Sequence, residues 1–345
     1  MTRTLTYAEA ISEGTVLAME RDPSIFMAGI GTTYSSAVFG TSQEALDRFG
    51  TDRVFDVPAM ENALTGIGIG AAAMGKHPLL VHLRNDFMFL ALDQMVNLAS
   101  KWRYMFGDRA GSMPLTVRAI VGRGWGQGAT HSQSLHATLA HFPGLTVLLP
   151  AQPKDAKGML LGALRAKKPC VIIEHRTLYP QSGTVPEGDA PTPIEGAEVL
   201  RAGSDITIIG ASQSVIEGIR AAACLADANV QAEVIDIRVA RPLDRETILT
   251  SIRKTGRALV LDTSWAHCGL SAEVAAIIAE AGLATDDMAV RRITPADCPA
   301  PVSKPLEDAF YPTVETIART AAEMVGADPD QITIDETRDD FNGPY

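Results

Sequence analysis

Short apolar runs alternate along the chain with longer stretches in which apolar residues recur every three or four positions. The first kind has the period and length of buried strands, the second that of amphipathic helices. The pattern predicts strands at 24–28, 78–83, 114–120, 146–149 and 170–174, with helices at 7–21, 63–74, 87–105 and 154–166 between them. After a Pro- and Gly-rich segment (PQSGTVPEGDAPTP) a second alternation begins, with strands at 206–210, 231–236 and 258–262 and helices at 214–225, 245–255 and 271–281. Alternation of this kind implies α/β architecture with largely parallel sheets. The chain therefore divides into a domain over 1–180, a linker over 181–197, a smaller α/β domain over 198–325 and an acidic tail over 326–345.

Composition narrows the function classes. The 345 residues are 46% hydrophobic and 21% charged, as in a well-packed two-domain protein. A net charge of −11 without a basic block argues against nucleic acid, whose phosphates need a basic face. The cysteines Cys170, Cys224, Cys268 and Cys298 are scattered and form no CxxC pair, which fits a reducing, cytoplasmic setting. The N-terminus reads as an acidic amphipathic helix rather than a secretory signal, and the most apolar stretch, 63–75, is too short to span a bilayer.

Three features carry candidate chemistry. Gly68-Ile-Gly70-Ala-Ala-Ala73 matches GxGxx(G/A), but that fingerprint works only at a strand-to-helix turn, and 56–65 do not read as a strand. Close helix packing is the plainer use of these glycines. Glu61 is a lone carboxylate opening a small-residue helix. It is either a cap favoured by the helix dipole or a buried acid poised for proton transfer. His131 follows a glycine-dense loop that begins at Gly122, where a backbone can approach a ligand closely; it is either an acid–base group or an incidental loop residue. His136 and His141 follow at spacings of five, which does not place three imidazoles on one helical face, so no metal is assigned to them.

The strings VFDVPAMENALTGIGIGAAAMGKHPLL, LALDQMVNLASKWRYMFG, GATHSQSLHATLAHFPGLTVLLPAQPKDAKGMLLGAL, AEVIDIRVARPLD and SKPLEDAFYPTVETI occur in one order over about 4–325. Together they resemble the β subunit of the decarboxylating component of 2-oxo acid and acetoin dehydrogenases, and more distantly the corresponding half of transketolase. The resemblance implies a pyrimidine-binding transketolase-like domain followed by a transketolase C-terminal-like domain. It also implies thiamine diphosphate bound at the interface with an α subunit that holds the diphosphate and its Mg²⁺. This chain has no GDG…NN motif, and Gly107-Asp108-Arg109 does not supply one. The assembly implied is two α with two β chains, inactive as β alone, with a lipoyl acyltransferase as a further partner.

By the same resemblance Glu61 falls on the cofactor-activating glutamate, whose carboxyl group bonds the pyrimidine nitrogen and promotes formation of the carbon nucleophile. Attack on a 2-oxo acid and loss of CO₂ then leave an enamine on the cofactor. Phe87 and Leu83 fall at the pyrimidine pocket, with an ordinary core role the alternative for Phe87. His131 matches the active-site histidine, and Ser132 and Gln133 complete its motif without assigned chemistry. Departures are visible too. The segment Gly29-Ile30-Gly31-Thr32 lacks the family's acidic pair, and Val81–Asp86 is more polar than usual, with Arg84 and Arg123 candidates for a substrate carboxylate. A structural cation is left unassigned near Ala163, Leu164, Ala166 and Lys168, because Lys168 would oppose it. The loop from Asp262 to Gly269 is expected to serve assembly. Rival readings are a split transketolase-like enzyme moving a two-carbon unit, a non-catalytic paralogue and, most remotely, an NAD-binding dehydrogenase.

Overall fold

The computed structural model describes residues 2–34, 38–123, 126–283 and 289–334. In chain order its first unit carries β1 (Thr2–Thr6), α1 (Tyr7–Arg21), β2 (Ile25–Gly29), α2 (Gln43–Phe49), β3 (Val54–Asp56), α3 (Glu61–Ala73), β4 (His77–His82), α4 (Asn85–Met88), α5 (Trp102–Phe106), β5 (Thr116–Val121), α6 (His136–Ala140), β6 (Thr146–Leu148), α7 (Pro153–Arg165), β7 (Cys170–His175) and β8 (Ser182–Pro186). Its central strands stand in the order β6-β7-β5-β4-β2-β3, each pairing parallel. Strands β4, β5 and β7 are buried along their whole length, which is why they read as mainly apolar runs rather than alternating ones.

Local chemistry sets the boundaries. Thr6 caps α1 in a reciprocal box with Glu9: the Glu9 amide donates to Thr6 Oγ1 at 3.2 Å and the Thr6 amide to Glu9 Oε2 at 2.7 Å. Helices α1 and α7 pack together. There the buried Lys157 Nζ donates to Glu13 Oε1 and to the Pro186 carbonyl, both at 2.7 Å, joining α7 to α1 and β8. Strand β8 pairs antiparallel with β1, so the segment expected as a linker from 181 opens with a strand of the first unit. Its backbone groups had a partner that only the distant N-terminus could supply.

Two further expectations are corrected. Residues 87–105 form no single helix: after α4 come a 3₁₀ turn at Phe89–Ala91, a π-helical turn at Gln94–Ala99 and then α5. Near the break the Ser100 amide reaches back five residues to Met95 O at 2.9 Å, while its hydroxyl bonds Val96 O at 2.8 Å. A back-bonding serine and a widened turn disturb the regular ladder although the apolar spacing is intact. Gly68 lies within α3 as expected, yet it packs on strand β4 rather than on a helix: a Cβ there would meet Leu80 Cδ1 at 2.8 Å.

The core of this unit contains a buried ion pair. Arg118 and Glu174, on neighbouring strands, have side chains 0% and 2% exposed. Arg118 Nε and Nη2 donate to Glu174 at 2.5 and 2.9 Å, Tyr179 OH donates to the same carboxylate at 2.6 Å, and Arg118 Nη2 also reaches Thr41 Oγ1 at 2.9 Å. Burial opposes the Arg118 charge, but the Glu174 carboxylate outweighs it and raises the guanidinium above its ordinary value.

The second unit comprises 126–129 and the described residues from Glu195 onward. It contains β9 (Glu198–Arg201), β10 (Ile206–Gly210), α8 (Gln213–Asp227), β11 (Ala232–Asp236), β12 (Val239–Arg241), α9 (Arg245–Thr255), β13 (Arg257–Leu261), α10 (Leu270–Glu280), β14 (Ala289–Ile293), α11 (Lys304–Phe310) and α12 (Val314–Val325). A sheet of order β14-β13-β10-β11-β9 is parallel except at β9. Asp262, just past β13, accepts from the Ser264 and Ser271 amides at 2.9 and 2.7 Å and so shapes the loop entering α10. The start of the acidic tail docks on α12, where Arg319 Nη1 donates to Asp330 at 2.9 Å; 335–345 lie outside the described residues. Among the described residues no helix is long and apolar enough to cross a membrane.

Removing one member of the buried ion pair strands the other. Glu174→Gln or Arg118→Met should each lower stability by about 3–5 kcal/mol in urea unfolding, and an apolar double replacement should recover part of that loss. Singles no less stable than wild type would show that the pair does not hold the core.

Candidate functional site

Helix α3 buries one stripe, Glu61, Leu64, Thr65, Gly68, Ile69 and Ala72, at the i, i+3, i+4 spacing of a single helical face. Glu61 is the charged member of that apolar stripe and the first residue of the helix, after a non-helical Met60 (φ −152°). The approach to it is fixed from the sheet, since the Val57 amide donates to Gly29 O at 3.1 Å. Gly29 itself must be glycine, because a Cβ would lie 2.4 Å from Val81 O. Glu61 is only 7% exposed, and among the described residues its carboxylate has no hydrogen-bond or ion-pair partner. A helix N-terminus favours a carboxylate, but a cap is normally solvated or bonded. An acid buried without a donor is costly unless a ligand supplies one.

One turn on, Thr65 Oγ1 lies 3.3 Å from His82 Nε2 at the carboxyl end of β4. Burial pushes His82 down to about 4, so this imidazole is neutral. The chain then passes through half-buried Leu83 and into α4, where Phe87 remains 38% exposed. Phe87 meets His131 edge-on, ring centres 5.3 Å apart at 88°. The His131 Nδ1 pairs with Thr130 Oγ1 at 2.9 Å. Phe87 and His131 are thus brought together from β4–α4 and from the loop following β5. Glu61 belongs to the helix that packs against α4 and the Phe89–Ala91 turn. These residues gather beyond the carboxyl ends of parallel strands, where open α/β sheets bind ligands.

The other sequence candidates fall differently. Arg84 lies over the Phe39 ring at 5.4 Å and donates to its own Leu83 O at 2.7 Å, while Arg176 covers the same ring at 4.0 Å. The charge of Arg123 helps to depress His175, whose burial is the larger cause of a value near 3. His136 bonds Ser134 at 3.0 Å and His141 stacks edge-on with Phe142, so these histidines do not converge with His131. Among the described residues no cluster of three or more His, Cys, Asp or Glu is arranged for a metal ion. Gly124 and Trp125, within the glycine-dense loop, lie outside the described residues.

Sequence reasoning missed what supports the site. Asp86 and Gln133, 47 residues apart, are joined by two hydrogen bonds, and the Thr65–His82 pair spans 17 residues. The only available signal was the unusual polarity of 82–86. A cavity of about 570 Å³ lies elsewhere, at the amino end of the strands beside Ile25, His77 and Pro114. There Arg21, Lys76, Arg165 and Lys167 stand at the C-terminal ends of α1, α3 and α7, whose negative partial charge they offset. None of Glu61, Leu83, Phe87 or His131 lines it.

Residues 3–182 match the transketolase pyrimidine-binding domain and 195–317 the transketolase C-terminal domain. The chain is 34% identical over 338 residues to the β subunit of acetoin:2,6-dichlorophenolindophenol oxidoreductase of Bacillus subtilis (strain 168), covering 94% of this chain and 98% of that protein. It is 37% identical over 321 residues to the mitochondrial pyruvate dehydrogenase E1 component subunit beta-1 of Oryza sativa subsp. japonica, covering 92% and 86%. Among solved structures, an inactive β4 tetramer of a split-gene transketolase superposes with a TM-score of 0.74 at 21% identity, covering 93% of this chain and 98% of that one.

Three buried imidazoles should make stability depend on acid. Burial takes His77 and His82 to about 4 and His175 to about 3, each below the ordinary 6.5. Values depressed in the fold mean that the unfolded chain binds more protons below about 6.5. Stability is then full above that pH and falls as pH drops toward the folded values. Urea unfolding between pH 7 and 5 should show a loss of about 1–2 kcal/mol per histidine, and His82→Gln should flatten the profile by about one proton. A flat wild-type profile would contradict neutral buried imidazoles.

Proposed function

This chain belongs to the transketolase-like family of β subunits that includes those of acetoin and 2-oxo acid dehydrogenase components, and on that footing we propose that it is the β subunit of a thiamine-diphosphate enzyme decarboxylating a 2-oxo acid or cleaving a related carbonyl compound. The observation that carries this reading is the Glu61 carboxylate, on the buried face of α3 with no partner among the described residues. A cofactor bearing a ring nitrogen supplies the missing donor or acceptor.

The residues present fit such a group. Glu61 would hold the aminopyrimidine by one hydrogen bond and exchange a proton with it, strengthened by a surrounding low in water. Leu83 and the exposed ring of Phe87 would provide apolar contact to the pyrimidine. Thiamine diphosphate, when bound, supplies the electron sink for carbon–carbon cleavage. His131, held by Thr130 and Phe87, would hold or move a proton at the substrate carbonyl oxygen.

The diphosphate and its Mg²⁺ are assigned to a partner α subunit, because these 345 residues contain no GDG…NN motif. The face of α3 opposite Glu61 supports a covering partner: Ile67 is 64% exposed and Met74 more so, with Phe89 and Leu90 exposed on the turn that packs against α3. Apolar side chains grouped in this way mark interaction surfaces. The assembly proposed is two α with two β, active only as the complex, with a lipoyl acyltransferase as the acyl acceptor. The four cysteines, all free, suit a cytoplasmic setting.

Co-expression with the α-like partner and a 2-oxo acid screen, with dye, lipoamide and aldose acceptors in parallel, tests the reading. The complex should turn over a 2-oxo acid or acetoin and β alone should not. Glu61→Gln should assemble normally and lose at least about 100-fold in kcat. Full activity in that variant would remove Glu61 from the chemistry, and turnover with an aldose alone would move the enzyme to the transketolase reaction.

A further inference from the structure

The imidazole of His131 has few contacts of its own: among the described residues, the Thr130 hydroxyl and the edge of Phe87. Its direction is therefore set by the loop that carries it, and that loop is fixed two residues later. Gln133 is held at three points by the entry to α4. Its backbone amide and its side-chain Nε2 both donate to Asp86 Oδ1, at 3.1 and 2.9 Å, and its carbonyl accepts from Asn85 Nδ2 at 3.1 Å. Two consecutive side chains thus satisfy both backbone groups of Gln133, as a neighbouring strand would, and so fix the register of 131–133 against 85–87. Two of the three bonds end on a carboxylate, the stronger kind. Asp86 is only 8% exposed, so competition from water is small.

The sequence neighbours matter as much as the bonds. Asp86 precedes Phe87, which touches His131, and Gln133 lies two residues after His131. The latch therefore closes a small ring whose other closure is the Phe87–His131 contact. The same residues keep unmet polar capacity: Asp86 Oδ2, Asn85 Oδ1 and Ser132 Oγ are buried without a hydrogen-bond partner among the described residues. Buried polar atoms left unmet cost stability, and folds retain them where function requires the residues.

We propose that Asp86 is a positioning residue, which through Gln133 fixes the loop carrying His131 and so sets the imidazole against Phe87. The catalytic consequence rests on the function proposed above; the geometric one does not. Asp86→Ala in the α–β complex should lower kcat by about 10–100-fold, the scale of a small misplacement of a reacting group, with KM moved less than about threefold. Asp86→Asn, whose amide oxygen can still accept both N–H bonds, should restore most of the loss. Gln133→Ala should be partly defective, and the Asp86→Ala/Gln133→Ala double variant no worse than Asp86→Ala, since both cut one latch.

A readout independent of turnover is the set of His131 ring-proton resonances in the full-length chain, displaced by the Phe87 ring current. They should move in Asp86→Ala toward their positions in Phe87→Leu and stay near wild type in Asp86→Asn. If Asp86→Ala does not fold, Gln133→Ala, at a half-buried position, carries the same spectroscopic test. Unmoved His131 resonances in a folded Asp86→Ala, or fully additive kinetic losses in the double variant, would overturn the proposal. Resonances that move as described in a complex that turns over none of the compounds screened would support the latch and sink only the proposed reaction.

Discussion

A carboxylate placed on the buried face of a helix, with no cation and no donor to answer it among the described residues, is the constraint from which the candidate site is built. The rest of the stripe, Leu64, Thr65, Gly68, Ile69 and Ala72, carries no charge. The sequence retains the acid, and the structure gives it a rigid mount. Gly29 fixes Val57 from the sheet, Gly68 lets α3 lie close on β4, and the Thr65–His82 pair ties the first turns of the helix to the strand end. An unmet polar group inside an otherwise consistent fold is where function is expected to have overridden packing.

The buried Arg118–Glu174 pair is its counterpart in the same unit. There both charges are present, the geometry is bidentate and Tyr179 and Thr41 take up further bonding capacity. The two features differ in how buried charge is met: one carboxylate is paired within the protein across neighbouring strands, the other has no partner among the described residues. Parallel strands make this division possible, because their carboxyl ends deliver several loops to one edge.

Much of the architecture was legible in the residues. Helices α1 and α9 begin and end where their apolar spacing and caps predict, and β10 is a run of five buried residues that starts directly after Asp205. Elements failed to show where their stability comes from elsewhere in the chain. Strand β8 exists because β1 pairs with it, and the π-helical turn before Ser100 follows from a serine hydroxyl competing for the backbone. Within the site Glu61 and His131 stood out as isolated titratable groups in small-residue surroundings. The Asp86–Gln133 brace of the His131 loop did not, because it joins residues 47 positions apart, and neither did the core pair Arg118–Glu174, 56 positions apart. No local pattern encodes such a pairing.

The β1–β8 ribbon has one more consequence, for the order of events during synthesis. Strand β1 finds its partner in Ser182–Pro186, with the six parallel strands β2 to β7 lying between them along the chain. Domains tend to fold as they leave the ribosome, yet here β1 must wait for nearly the last residues of its unit. Strand β1 therefore stays unpaired until Ser182–Pro186 has been made, and a bulky group placed directly ahead of Thr2 would compete for the edge that β8 needs to find.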